Sequence, residues 1–173
     1  IKYDVQSGIA VITFHRPEKH NTLTLQMYED LGAAFIEAGQ DPKVAVCILT
    51  GAGDKAFCAC ADLTESIPHL ANGHYIDEWD PAHLKHITMN KPIIAAVNGL
   101  CMGGGFEILF GTDIRVASRD AVFRLLEVGL GIVPAGGTLV RLARPITYAR
   151  AMERILTGRA ITAEEALAYC ILH

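Results

Sequence analysis

The sequence predicts an α/β domain, and three observations carry that prediction. Strand-like runs alternate along the chain with segments whose apolar residues recur at helical spacing. Two continuous apolar runs, 44–50 (VAVCILT) and 93–97 (IIAAV), read as strands buried on both faces, as in a parallel sheet. The composition, 51% apolar and 20% charged over 173 residues, provides for a substantial core and excludes a disordered chain.

The elements follow in order. Residues 1–5 and 9–14 are β-rich and separated by Ser7-Gly8, a hairpin signal. A polar, proline-bearing connection covers 15–21. Over 25–38, Leu25, Tyr28, Leu31, Phe35 and Ala38 fall at helical spacing and predict an amphipathic helix. Gly51-Ala52-Gly53-Asp54 marks a turn after the first buried strand. The run 93–97 is the second buried strand and 114–117 a third. Helical patterns occupy 104–110, 138–143 and 148–156, and Thr162 with Glu165 three residues on is a capping box that starts a last helix. The stretch 66–86 is rich in His, Asn, Asp and Pro and holds the only tryptophan, Trp79. It reads either as a mobile flap or pocket wall, or as a solvated insertion.

Charge and cysteine usage narrow the function classes. The net charge is −4 with no basic stripe, which argues against nucleic acid or an anionic membrane as partner. The mean hydropathy of +0.28 is high. The one segment that resembles a membrane span, 93–111, carries Asn98, Glu107 and five glycines and reads better as strand, turn and helix. Five cysteines (Cys47, Cys58, Cys60, Cys101 and Cys170) at irregular spacing, with no secretory signal visible, predict reduced thiols and a cytoplasmic setting. The chain starts at Ile1 already in strand-like sequence, so a preceding segment is expected to lie outside it.

Nine of the 16 glycines fall between Gly99 and Gly137, which brings backbone close to something. The densest case runs from Val97-Asn98-Gly99 to Gly103-Gly104-Gly105-Phe106-Glu107, where a strand ends and three glycines open a helix. Free N–H groups there can hold negative charge, or the glycines can simply permit close strand–helix packing. The dinucleotide and P-loop fingerprints are missing, and none of the three serines lies in G-x-S-x-G. Cys58-x-Cys60 and His83-x-x-His86 each offer two metal ligands without a second pair, so no metal site is expected. Two acids remain, Glu107 and Glu127, each in apolar sequence. Carboxyls in apolar surroundings exchange protons near neutral pH and can serve as general acid and base. The alternative for each is an ion pair with an arginine such as Arg115 or Arg124.

Five segments together resemble the enoyl-CoA hydratase/isomerase (crotonase) superfamily: 15–23 (HRPEKHNTL), 56–63 (AFCACADL), 97–107, 126–138 and 156–166 (LTGRAITAEEA). They occur in the family's order and span nearly the whole chain. The resemblance implies a spiral of repeated β-β-α units, with residues 1–173 as the catalytic core and a further helical trimerisation region beyond it. It implies an oxyanion hole from the backbone N–H groups of Ala61 and Gly104, and Glu107 and Glu127 as the catalytic pair. CoA would run along Lys19, Leu23, Ala59, Asp62 and Leu63, and Trp79, Leu84 and Phe106 would shape the acyl pocket. The implied reaction is syn hydration of a 2-enoyl-CoA thioester, or its reverse, by a homotrimer or dimer of trimers. The acyl-CoA would be the substrate and no cofactor would be needed. Isomerisation, dehydration of an unusual hydroxyacyl-CoA, and a non-catalytic acyl-CoA-binding role stay open as alternatives.

The chain departs from the family pattern at particular residues. Cys60 and Cys170 stand where glycine is usual. If the backbone at 60 is left-handed, cysteine there costs about 1–2 kcal/mol and can shift the Ala61 N–H. Phe106 is bulky beside Glu107.

Overall fold

Ser7 and Gly8 both adopt left-handed backbone, with φ of 52° and 82°. That geometry suits the twist of a two-residue hairpin, and it joins β1 (Lys2–Gln6) to β2 (Ile9–Phe14) as the sequence predicts. The chain is described by a computed structural model over residues 1–72 and 79–173.

The strands form two sheets. The first has five strands in the order β1-β2-β3-β5-β7, with β3 at Val46–Gly51, β5 at Ile93–Val97 and β7 at Ile114–Ala117. All its pairings after the hairpin are parallel. The second has the order β4-β6-β8-β9, with β4 at Ala56–Ala59, β6 at Leu100–Met102, β8 at Val122–Arg124 and β9 at Ile161–Thr162. The pairs β3/β4, β5/β6 and β7/β8 each place one strand in each sheet. The first two pairs are followed by α2 (Leu63–Ala71) and α4 (Gly104–Leu109), the third by a 3-10 turn at Glu127–Leu130. The topology is therefore the expected repeat of β-β-α units, each stacked in parallel on the one before.

Two sequence expectations need correction here. The central strands are not buried on both faces. Cys47, Leu49, Ile93, Ala95 and Val97 point into the core, while Ile48, Thr50, Ile94 and Ala96 on the other face are only partly covered. The register continues that second face onto Ile114 and Val116, which are exposed. The segment 93–111 is also not simply strand, turn and helix, because β6 lies between Gly99 and the helix. At three residues it is too short for a period to show.

The core fills the space between the sheets. Phe14 of β2 and Phe57 of β4 meet edge to face with ring centroids 5.0 Å apart. Helix α1 (Leu25–Gln40) is capped by Thr24, whose hydroxyl accepts the Met27 N–H, and it buries Leu31, Phe35 and Ala38 against this core. Helices α5 (Thr138–Arg141) and α6 (Tyr148–Thr157) follow. The capping box of Thr162 and Glu165 opens α7 (Ala163–Ala168) as predicted. All five cysteines are free, with Cys47, Cys58 and Cys101 buried, Cys60 half-buried and Cys170 exposed. Among the described residues no helix is long and apolar enough to cross a membrane.

Candidate active site

The site is built where the second and third β-β-α units begin their helices. After β4 the chain passes through Cys60 and Ala61 to Asp62, which caps α2 by accepting the Thr64 N–H. Leu23 pins this loop from the other side. Its N–H donates to the Cys60 carbonyl at 3.0 Å, and its own carbonyl accepts the Asp62 N–H at 2.7 Å. After β6, Gly103 caps α4 with φ of 49°, and Gly104 is the first helical residue. A Cβ at Gly103 would lie 2.4 Å from the Cys60 sulfur, so only glycine lets the two loops meet. A Cβ placed on Gly104 would lie 3.7 Å from the Ala61 nitrogen, which brings the two predicted oxyanion donors side by side. Among the described residues no carbonyl outside regular helices and strands takes either N–H.

Glu107 and Glu127 reach one cavity of about 320 Å³ from different elements, α4 and the 3-10 turn. Each is only 5% exposed. Glu107 Oε1 accepts the Gly136 N–H at 2.8 Å and the Thr138 N–H at 3.4 Å. Glu127 Oε2 is buried without a hydrogen-bond partner among the described residues. The arginine pairings are not formed: Arg115 donates to the Thr112 and Ile171 carbonyls, and Arg124 to the Gly158 carbonyl. Loss of hydration raises the Glu107 carboxyl to about 7. The nearby Glu127 adds to the rise, and the hydrogen bonds from Thr138 and Gly136 oppose it. Burial likewise pushes Glu127 up. Two carboxyls in one apolar cavity resist ionising together, so they are suited to hold one proton between them.

Tyr28, Cys60, Ala61, Leu63, Ser66, Trp79, His83 and Gly104 complete much of the lining, with Leu130, Ile132 and Val133 opposite in sequence. A second, more open cleft of about 630 Å³ shares Cys60, Ala61, Leu63 and Leu130 with this cavity, so the two join at the paired N–H groups. Lys19, Ala59, Asp62 and Leu63 line the cleft. Arg16 also lines it and is tied to Asp62 by a 2.7 Å ion pair; the Thr64 hydrogen bonds, with that of Arg16, hold the Asp62 carboxyl down at about 2.

Three predicted site residues sit elsewhere. Leu23 is fully buried and offers this region its backbone only. Phe106 is fully buried between Phe110 and Phe123, because on α4 the spacing that turns Gly104 and Glu107 to the cavity turns Phe106 to the core. Leu84 packs on Gly111 instead of the cavity. Trp79 does line it. Of the segment 66–86, residues 73–78 lie outside the described residues. What is described includes part of α2 and α3 (Trp79–Ala82), so its beginning and end form a pocket wall. His83 belongs to that wall and to no metal cluster, and none is formed among the described residues. Tyr28 and Ser66 also line the cavity without a site signal in the sequence. Tyr28 falls on the apolar stripe of α1, where a tyrosine reads as core.

The family model for enoyl-CoA hydratase/isomerase matches residues 4–173. The chain belongs to that family. It is 39% identical over 171 residues to (E)-benzylidenesuccinyl-CoA hydratase of Thauera aromatica, covering 98% of this chain and 66% of the relative. It is 43% identical over 161 residues to enoyl-CoA hydratase EchA19 of Mycobacterium tuberculosis, covering 90% of this chain and 60% of the relative. A carnitinyl-CoA dehydratase structure from Mycobacterium avium superposes with a TM-score of 0.89 at 35% identity, over 99% of this chain and 68% of that one. The chain thus spans about three-fifths to two-thirds of these family members' lengths. Membership gives both cysteine departures a physical meaning. Cys60 has φ of 96° and Cys170 φ of 58°, so both stand on left-handed backbone that favours glycine.

Proposed function

We propose that this chain carries the site of an enoyl-CoA hydratase, which adds water across the double bond of a 2-enoyl-CoA thioester and can run in reverse. The observation that carries the reading is the convergence of Glu107 and Glu127 on one cavity beside the paired N–H groups of Ala61 and Gly104. Support also comes from the names of the three relatives, two hydratases and one dehydratase, each for a CoA compound.

In the forward direction the thioester oxygen lies between the Ala61 and Gly104 N–H groups. Ionised Glu107 takes a proton from water as the oxygen attacks C3. Electron density moves from the double bond toward the thioester oxygen, where the two N–H groups hold the developing enolate. Protonated Glu127 then delivers its proton to C2. The pair ends with the proton on Glu107, so one exchange restores the starting state. The reaction as written needs no metal or cofactor. The CoA moiety would follow the cleft along Lys19, Ala59, Asp62 and Leu63, with the acyl chain in the cavity.

Self-association as a trimer fits the large apolar side chains left exposed, among them Val133, Val140 and Leu156, each more than 60% exposed. Five free cysteines fit a cytoplasmic setting. A screen of 2-enoyl-CoA thioesters by chain length, with product analysis, tests the reading. Formation of 3-hydroxyacyl-CoA supports it. Recovery of only a shifted double bond, or of unchanged substrate across the series, contradicts it.

A further inference from the structure

The Tyr28 hydroxyl is aimed at the space beside the paired N–H groups. A Cβ on Gly104 would lie 2.6 Å from Tyr28 Oη and 3.9 Å from the ring carbon that bears it. The second distance is longer by nearly a full C–O bond, so that bond points straight at the spot. The Ala61 nitrogen lies 3.7 Å from the same spot, and Gly104 itself carries the other N–H. Because residue 104 is glycine, no side chain fills the spot, and three hydrogen-bond donors border it.

Packing fixes the side chain in that direction. Its ring stacks on His83 with centroids 5.7 Å apart and packs on Trp79 at 5.5 Å. The hydroxyl has no hydrogen-bond partner among the described residues, and unlike Ser66 Oγ, Trp79 Nε1 and His83 Nε2 it is not closed off from the cavity that Tyr28 lines. Burial, with the nearby cysteines and glutamates adding to it, keeps the phenol protonated well above its ordinary range, so the hydroxyl is a donor at neutral pH. A phenylalanine would fill the same space without leaving a hydroxyl unpaired. A ligand oxygen held at the Ala61 and Gly104 N–H groups would give that hydroxyl its acceptor.

We propose that Tyr28 is a third donor of the oxyanion hole, its hydroxyl donating to the thioester oxygen held by the Ala61 and Gly104 N–H groups. The proposal rests on the reading of those two groups as an oxyanion hole. A donor already fixed by packing stabilises the charge that develops on that oxygen without having to reorganise. Acetoacetyl-CoA tests this without turnover. Its enolate shares its charge with the thioester oxygen and absorbs in the ultraviolet, so enolate formation on the protein is followed by pH titration. Wild type should form the enolate at lower pH than the ligand does in free solution. In Tyr28→Phe it should form about tenfold less readily, at a pH about one unit higher than in wild type. Crotonyl-CoA hydration by the same variant should lose about tenfold or more in kcat with KM little changed, the split expected of a contact that strengthens in the transition state. Circular dichroism shows that the variant is folded, and Tyr28→Met carries the same comparison if it is not. An unshifted enolate in wild type, an equal titration in the folded variant, or a loss confined to KM overturns the proposal. If wild type shifts the enolate but leaves crotonyl-CoA unhydrated, and the variant loses the shift, the third donor stands and the hydratase reading falls.

Discussion

The Cys60 sulfur packs against Gly103, where an added Cβ would lie only 2.4 Å from it, one residue before the Gly104 N–H. Cys60 itself immediately precedes Ala61, so its side chain stands between the two residues whose N–H groups would hold an enolate. Cys60 also holds φ of 96°, a conformation that costs a non-glycine residue about 1–2 kcal/mol.

Replacing that residue should relieve the strained backbone that sets the Ala61 N–H. Cys60→Gly is expected to raise kcat/KM for a hydrated enoyl-CoA tenfold or more, within the 10²–10³ that one such donor is worth. Steady-state kinetics on both forms checks this. An unchanged or lower value would show that the sulfur moves aside without cost.

The raised Glu107 carboxyl sets a pH dependence for turnover. If it is the base, it must be ionised, so kcat/KM should rise with pH through about 7. A pH–rate profile measures the limb. Glu107→Gln should abolish it, leaving a flat residual rate across the same range.

Stability should respond in the opposite sense. The folded Glu107 pKa lies above its ordinary value of 4.5, so the native state binds the extra proton between pH 4.5 and 7 and stability falls as pH rises through that window. Above pH 7 the penalty reaches roughly 3 kcal/mol. Glu107→Gln removes it while its side-chain oxygen can still accept the Gly136 N–H. The variant should therefore melt higher than wild type at pH 8, with the gap shrinking toward pH 5. Melting curves at both pH values decide, and a Tm below wild type at pH 8 would contradict the assignment.

The strong periodicities and caps of this fold were legible in the sequence. The Ser7-Gly8 hairpin, the stripe of α1 and the Thr162–Glu165 box are each local features that tertiary context reinforces. The short strands β4, β6 and β8 were not legible, because three or four residues cannot show a period and their pairing is decided by the neighbouring unit. The two glutamates stood out as acids in apolar runs, and the structure brings them to one cavity. Phe106 and Leu84 were misplaced for a different reason. Nearness in sequence to Glu107 or Trp79 says nothing about which face of an element a side chain takes. Tyr28 and Ser66 carry no site signal in the sequence, because which cavity a buried polar side chain lines becomes visible only once its surroundings are built.

The central claim is that Glu107 and Glu127 act together on one water. Hydration of crotonyl-CoA, followed by loss of the conjugated thioester absorbance, tests it in wild type, Glu107→Gln, Glu127→Gln and the double variant. Each single change is expected to lower kcat by about 10²–10⁴, and the double variant should lose far less than the product of the two. Single variants that retain wild-type turnover, or losses that multiply in the double variant, would contradict the account.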